Sequence, residues 1–152
     1  MSLKIQKTVG SLLLAVFFIV DRLIKHFFYL SDWSWQSGGF FSLKKTLNYG
    51  ISFGWPMPLF LIMAIYLIAF VGLIGLLVFY LQKKVLAGSF LAGLILIGAI
   101  SNFLDRLNIG AVMDYFDLRY FSVFNLSDVF ISIGVLGFLL VYFREARPLA
   151  EK

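Results

Sequence analysis

The stretch VLAGSFLAGLILIGAISNFLDR, residues 85–106, decides the fold of this chain. Residues 85–104 are almost wholly apolar and have about the 20 positions that a helix needs to cross the hydrocarbon core of a bilayer. Small residues recur along the stretch and allow neighbouring helices to approach closely. They are Gly88, Ala92, Gly93, Gly98 and Ala99. Polar side chains follow at its end, so the stretch predicts a close-packed transmembrane helix with polar groups at one membrane boundary.

The composition of the whole chain indicates that lipid is its solvent. Of the 152 residues, 61% are hydrophobic and 18% aromatic, whereas soluble domains are usually about 45–50% apolar. Cysteine is absent, which excludes disulfides, thiolate metal sites and a cysteine nucleophile. The single histidine, His26, cannot assemble a histidine-based metal site alone. We therefore expect neither a metal nor a cofactor.

Four apolar runs divide the chain, and they predict an all-α membrane protein with four transmembrane helices. The runs cover approximately residues 8–28, 58–81, 85–104 and 126–143. The first resembles a signal peptide, but no small-residue cleavage site follows its apolar core, so we expect an uncleaved helix. Between the first two runs, in the segment 29–57, residues Phe40 to Phe53 include β-branched and aromatic residues among glycines, which predicts a small β element. We expect residues 1–152 to form a single membrane-embedded domain.

Charges predict the orientation of these helices. The net charge of +5 comes from short basic clusters between the apolar runs, which suggests topology signals and lipid contacts and argues against nucleic acid as a partner. Four spans place both termini on one side, and all six aspartates on the other. The tight Lys83-Lys84 turn is the clearest cytoplasmic marker. We therefore expect cytoplasmic termini and an outer-face segment 29–57, anchored by Trp33, Trp35 and Trp55.

Ionisable groups near a bilayer are costly to place and are candidates for function. Asn102, Asp105 and Arg106 stand at i, i+3 and i+4, so a helix presents them on one face. We expect Asp105 to stay ionised beside Arg106 and an amide, as a structural clamp. Another pair, Asp21 and Lys25, stands at i, i+4, and Asn48-Tyr49-Gly50 is typical of a turn. Neither signal is specific alone.

Asp114 and Asp128 have a different character. Asp114 lies in an apolar segment with no basic neighbour within four residues, and Asp128 opens the last run. Asp128 is also typical of a helix N-terminus, where it would interact with the macrodipole. If a short return loop brings the two together, they share a proton, and such a pair activates water without a metal. Asp117 is a competing partner for this pair.

Taken together, these elements resemble the lipoprotein signal peptidases (signal peptidase II), which are bacterial membrane aspartic proteases. The matching motifs occur in family order. They are Asp21 with Lys25; Asn48-Tyr49-Gly50-Ile51-Ser52-Phe53; Gly98-Ala99-Ile100-Ser101-Asn102-Phe103-Leu104-Asp105-Arg106; Gly110 with Val112-Met113-Asp114-Tyr115; and Phe124-Asn125-Leu126-Ser127-Asp128. The chain departs from the family pattern at Arg22, Ile24 and Ser127.

The resemblance implies a role for each of these side chains. Asp114 and Asp128 would be catalytic, and Asp21, Lys25 and Asp105 would be structural polar residues. Substrate-binding residues would be Asn102, Arg106, Asn125, Asn48 and Gly50. The implied reaction, in the bacterial cytoplasmic membrane, is cleavage of a prolipoprotein just before its diacylglyceryl-modified cysteine. The implied partners are these substrates and membrane lipids, and we expect a monomer with its active site near the outer face.

A non-catalytic four-helix membrane transporter or scaffold is the alternative interpretation. A transporter also uses buried carboxylates, but near the bilayer midplane. The second run has no acidic residue and the third has none deep within it. This absence favours the enzyme.

Overall fold

The structure, a computed structural model, describes residues 2–51 and 54–150. It contains four helices and a four-stranded antiparallel sheet. In chain order the elements are α1 (Leu3–Leu30), β1 (Trp35–Ser37), β2 (Phe41–Asn48), α2 (Leu59–Gln82), α3 (Leu86–Ile109), β3 (Val112–Leu118), β4 (Val123–Phe124) and α4 (Leu126–Ala150). Ser52 and Phe53, which end the expected β segment, lie outside the described residues.

The prediction of four helices is confirmed. Within the described part of the chain, α1, α2 and α3 are long and apolar enough to cross a membrane, while the apolar part of α4, Leu126–Val141, is shorter. Three helices run further than expected, among them α4, which continues to Ala150. α1 begins at Leu3 because the Ser2 hydroxyl caps it, accepting a bond from the Ile5 amide. α3 continues to Ile109, where Gly110 ends it in the left-handed conformation at φ 72°.

Helix α3 occupies the centre of the bundle and contacts α1, α2 and α4. Its small residues make this packing feasible, as the sequence predicted: Ala92 is fully buried and Gly98 faces α4. A Cβ atom at Gly98 would lie 2.5 Å from the carbonyl oxygen of Ser127 and 2.9 Å from Cγ1 of Ile131. The first turn of α4 is therefore held against α3 at a distance that only glycine permits.

The sheet corrects the sequence prediction, which placed the β element only between the first two helices. Strand β3 lies in the segment that we expected to be a return loop. It pairs with β2 on one side and with the short strand β4 on the other. The register sets Thr46 opposite Asp114 and Asn48 opposite Val112. This pairing joins segments some 70 residues apart, so no local pattern reveals it.

The buried half of β3 fastens the sheet to the helices. Tyr115 stacks on Phe28 of α1 with ring centroids 5.2 Å apart, and Met113 is 1% exposed. The outer half of the strand, from Phe116 to Leu118, is only partly buried. Asp114 therefore lies in the part of β3 that packs on the bundle.

The close approach at Gly98 predicts a specific loss of stability. Gly98→Ala should lower the free energy of unfolding by about 1–3 kcal/mol, because its methyl group overlaps the α4 backbone. Gly75→Ala on α2 is the matched control, since nothing lies within 4 Å of its added Cβ. Thermal unfolding in detergent should show a lower Tm for Gly98→Ala only. Equal Tm values for the two variants would contradict this packing.

Candidate active site

A cavity of about 820 Å³ opens between α2, α3, α4 and the sheet, and its polar wall holds most of the predicted site residues. Its lining includes Asn48, Asn102, Arg106, Asp114 and Asp128. Aliphatic residues such as Ile62, Ile65 and Leu73 form much of the remainder. The cavity is thus mostly apolar, with the polar groups gathered at one end.

Asn125 joins the two aspartates that the sequence singled out. Its side-chain Nδ2 donates to Oδ1 of Asp114 at 2.6 Å, and its backbone N–H donates to Oδ2 of Asp128 at 3.1 Å. The Asp128 N–H in turn donates to Oδ1 of Asn125 at 3.1 Å. Asp114 from β3 and Asp128 from α4 are therefore hydrogen-bonded to one residue and line one cavity.

The contacts between Asn125 and Asp128 also form a capping box. Asn125 precedes the first residue of α4 and Asp128 is the third, and each side chain accepts the backbone N–H of the other. Asp128 therefore occupies the helix terminus, as the sequence suggested, and this position is compatible with a paired-carboxylate role. The cap fixes the rotamer of Asp128 and places its negative charge at the positive end of the helix dipole.

Two more asparagines complete the hydrogen bonds of this pair. Asn102 Nδ2 donates to Oδ1 of Asp128 at 2.8 Å, while its Oδ1 accepts from Asn125 at 3.2 Å. Asn48 Nδ2 donates to Oδ2 of Asp114 at 3.2 Å. The Gly50 N–H donates back to Oδ1 of Asn48 at 3.0 Å. Every carboxyl oxygen of the pair thus accepts at least one N–H.

Arg106 and Asp105 are not paired with each other, and that expectation was wrong. Consecutive residues point about 100° apart on a helix, so Arg106 reaches the Gly50 carbonyl oxygen while Asp105 faces α1. Asp105 binds Arg22 at 2.5 Å and Lys25 at 2.8 Å and accepts the Met113 N–H at 3.2 Å. It therefore ties α1 and β3 to α3.

Behind the pair lies a second polar cluster, built around Asp21 and Lys25. Both side chains are buried, and Nζ of Lys25 lies 3.7 Å from Oδ2 of Asp21. Asp21 also accepts hydrogen bonds from the Ser101 hydroxyl, the Ser127 hydroxyl at 2.7 Å and the Ser127 N–H at 3.1 Å. Sequence reasoning gave Ser101 and Ser127 no role, although polar residues beside two motif positions were a usable signal.

Asp117, the competing partner, lies elsewhere. Its carboxylate contacts Lys44 at 2.6 Å and the Ser42 hydroxyl at 3.3 Å on β2. Side chains three apart on a strand point to opposite faces, which separates Asp117 from Asp114. Within residues 2–51 and 54–150, no three acidic or histidine side chains cluster in a way that could hold a metal ion.

The surroundings of Asp114 change its acidity. Burial raises the pKa of Asp114 from its ordinary 3.8 to about 7, and the nearby Asp128 carboxylate adds to this rise. Hydrogen bonds from Asn125 and Asn48 act in the opposite direction. Asp114 is thus a much weaker acid than an ordinary aspartate.

This electrostatic coupling can be measured. Asp128→Asn removes a negative charge, so the pKa of Asp114 should fall below about 7, yet stay above 3.8 because burial is the larger cause. Titration of ¹³C-labelled aspartate by NMR, with Asp114→Asn for assignment, checks both values. An Asp114 pKa that does not respond to Asp128→Asn would show that the two carboxyl groups do not interact.

Comparisons with known proteins agree with this fold and with the family resemblance of the sequence. A family model described as signal peptidase (SPase) II matches residues 13–144. The lipoprotein signal peptidases of Rickettsia felis and Anaplasma marginale are each 34% identical to the chain, over 88% of it and 74% and 83% of their own lengths.

A bacterial membrane enzyme solved by the in meso method at 2.3 Å resolution has the same fold. It superposes with a TM-score of 0.74 at 24% identity, over 91% of this chain and 90% of its own. None of these matches supports the non-catalytic transporter or scaffold. The chain belongs to the signal peptidase II family of bacterial membrane peptidases.

Proposed function

We propose that this protein is an aspartic endopeptidase that removes the signal peptide of a diacylglyceryl-modified prolipoprotein by cleaving just before the lipidated cysteine. The observation that carries the proposal is the meeting of Asp114 and Asp128 on Asn125, at the polar end of a largely apolar cavity. The lipoprotein signal peptidases that the chain resembles supply the substrate class.

In this mechanism the pair holds one proton at rest, on Asp114, whose pKa lies near 7. Asp128, at the N-terminus of α4, is the carboxylate that takes a proton from water. The resulting hydroxide attacks the scissile carbonyl carbon while Asp114 donates a hydrogen bond to the carbonyl oxygen. As the tetrahedral intermediate collapses, the C=O bond re-forms, the C–N bond breaks, and the proton that Asp128 took from water passes to the leaving amine.

The cavities suit an extended lipidated substrate. The apolar 820 Å³ cavity between the helices accepts a signal helix or acyl chain. A second cavity, of about 730 Å³, lies between residues 46–50, residues 54–58 and the β3–β4 turn, and it also includes Asn48 and Asp114. The scissile bond would sit where the two cavities share these residues.

Arg106 has the donors needed to hold the substrate backbone. It is 4% exposed and lines the larger cavity, and among the described residues its Nε and Nη1 have no hydrogen-bond partner. Buried N–H groups without partners are costly, and a substrate carbonyl oxygen would satisfy them. Its Nη2 already donates to the carbonyl oxygen of Gly50, at the end of the Asn48-Tyr49-Gly50 turn.

Loss of either carboxylate should abolish cleavage. Asp114→Asn and Asp128→Asn should each lower the rate by at least about 10²-fold, because an amide can act as neither general base nor general acid. The assay is a gel shift with purified enzyme in detergent and a lipidated prolipoprotein. Substantial cleavage by either folded variant would remove the pair from the mechanism.

Asp117→Asn is the matched control for this assay. It makes the same chemical change on the same strand, but at a carboxylate that pairs with Lys44 on the sheet surface. Its cleavage rate should stay within about twofold of the wild type, since exposed ion pairs contribute about 1 kcal/mol or less to stability.

We further propose that α4 spans the membrane with the other three helices, that both termini are cytoplasmic and that the protein is a monomer in contact with lipid. The basic Lys83-Lys84 turn between α2 and α3 supports this orientation. The sheet and the paired carboxylates, at the opposite ends of α2 and α3, would then lie at the outer face.

The orientation can be tested because the chain has no cysteine. Asp32→Cys, at a side chain that is 98% exposed, should react with an impermeant maleimide in intact spheroplasts. Gln82→Cys, beside the basic turn, should react only after permeabilisation. The reverse pattern would place the active site on the cytoplasmic side.

A further inference from the structure

A buried lysine stands directly behind the paired carboxylates. Lys25 is 1% exposed, and its Nζ lies 2.7 Å from Oδ1 of Asn102, 2.8 Å from Asp105 and 3.7 Å from Asp21. An ammonium group has three N–H donors and no acceptor. Lys25 therefore acts only as a donor to Asn102 and Asp105, and it pairs with Asp21 through charge alone.

This one-way chemistry determines how the neighbouring amides are oriented. Asn102 must turn its oxygen toward Lys25, so its NH₂ group points to Asp128. Asn125 then donates one N–H to the same Asn102 oxygen and the other to Asp114, leaving its own oxygen for the Asp128 N–H. A primary amide that turned over would present an oxygen to a carboxylate, which repels it.

We propose that Lys25 is a positioning residue for the peptidase reaction: it orients the amides of Asn102 and Asn125 so that both Asp114 and Asp128 receive N–H donors. This inference rests on the proposed function. Lys25 contacts neither substrate nor water in this mechanism, and it acts on the carboxylates through the two amides.

The competing account is that Lys25 only balances the buried charges of Asp21 and Asp105. Arg22 separates the two accounts, because it lies on the same helix and binds the same Asp105 carboxylate, at 2.5 Å. Its other contacts are with Ser101. Arg22→Met thus removes one charge from Asp105 but leaves the amides as they are.

The test compares Lys25→Met with Arg22→Met, using purified full-length protein and a lipidated prolipoprotein across a pH series. Lys25→Met should lower kcat by about 10²-fold, the scale of a small misplacement of catalytic groups, with KM changed far less. Arg22→Met should keep kcat within about threefold. If Lys25→Met does not fold, Lys25→Gln makes the same comparison, because glutamine can accept as well as donate.

The pH profile is a readout that a purely structural role would not shift. The charge of Lys25 lowers the pKa of Asp114. Its loss should therefore raise that pKa and move the basic limb of the pH–rate profile, where Asp114 loses its proton, to higher pH. Among the described residues, the charged or titratable groups facing this region are Asp21 and Arg22 on α1, Tyr66 on α2, Asp105 and Arg106 on α3, Asp114 and Tyr115 on β3, and Asp128 on α4. All of these groups are present in Lys25→Met, and all except Arg22 itself are present in Arg22→Met.

Equal losses of kcat in the two variants, with superimposable pH profiles, would overturn the role of Lys25 and leave it as a charge-balancing residue. The same assay reports separately on the proposed function. A wild-type enzyme that does not cleave the precursor, or an active Asp114→Asn, refutes the function itself. Wild-type cleavage with an unaffected Lys25→Met refutes only the positioning role.

Discussion

Polar side chains buried between membrane helices must find partners within the protein, because lipid offers none. This constraint organises the whole molecule. Asp105, which binds Arg22, Lys25 and the Met113 N–H, connects α1, α3 and β3 at a single carboxylate. Removing one partner from such a buried ionic group is far more costly than breaking an exposed pair. The cluster therefore fixes the relative positions of the elements that carry the paired carboxylates.

Much of this arrangement could be predicted from the sequence, because it follows from local patterns. Apolar runs of spanning length predicted the helices, and the small residues of α3 predicted its close packing. The importance of Asp114 and Asp128 followed from the cost of placing a charge in apolar surroundings. Their roles in the reaction stay predictions, but their meeting at one cavity wall is what the return from α3 to α4 suggested.

Other features depend on contacts between distant residues, and no local pattern reveals them. Pairing of β2 with β3 joins two segments that are separated by a whole helical hairpin. The partner of Asp105 was misassigned because Arg106 is adjacent in sequence, whereas Lys25 lies 80 positions away but faces it across the α1–α3 interface. The two serines bonded to Asp21 stand beside motif positions in the sequence, but their shared partner appears only when three helices meet.

The two carboxylates stand on different kinds of support, one on a strand and one on a helix. The sheet is attached to the bundle through the buried half of β3, including the stack of Tyr115 on Phe28. Any movement of β3 and β4 away from the helices would consequently increase the distance between Asp114 and Asp128 without contact to either residue. A ligand that bound beneath the β3–β4 turn would thus change the spacing of the two carboxyl groups. Such a ligand need not resemble the peptide substrate.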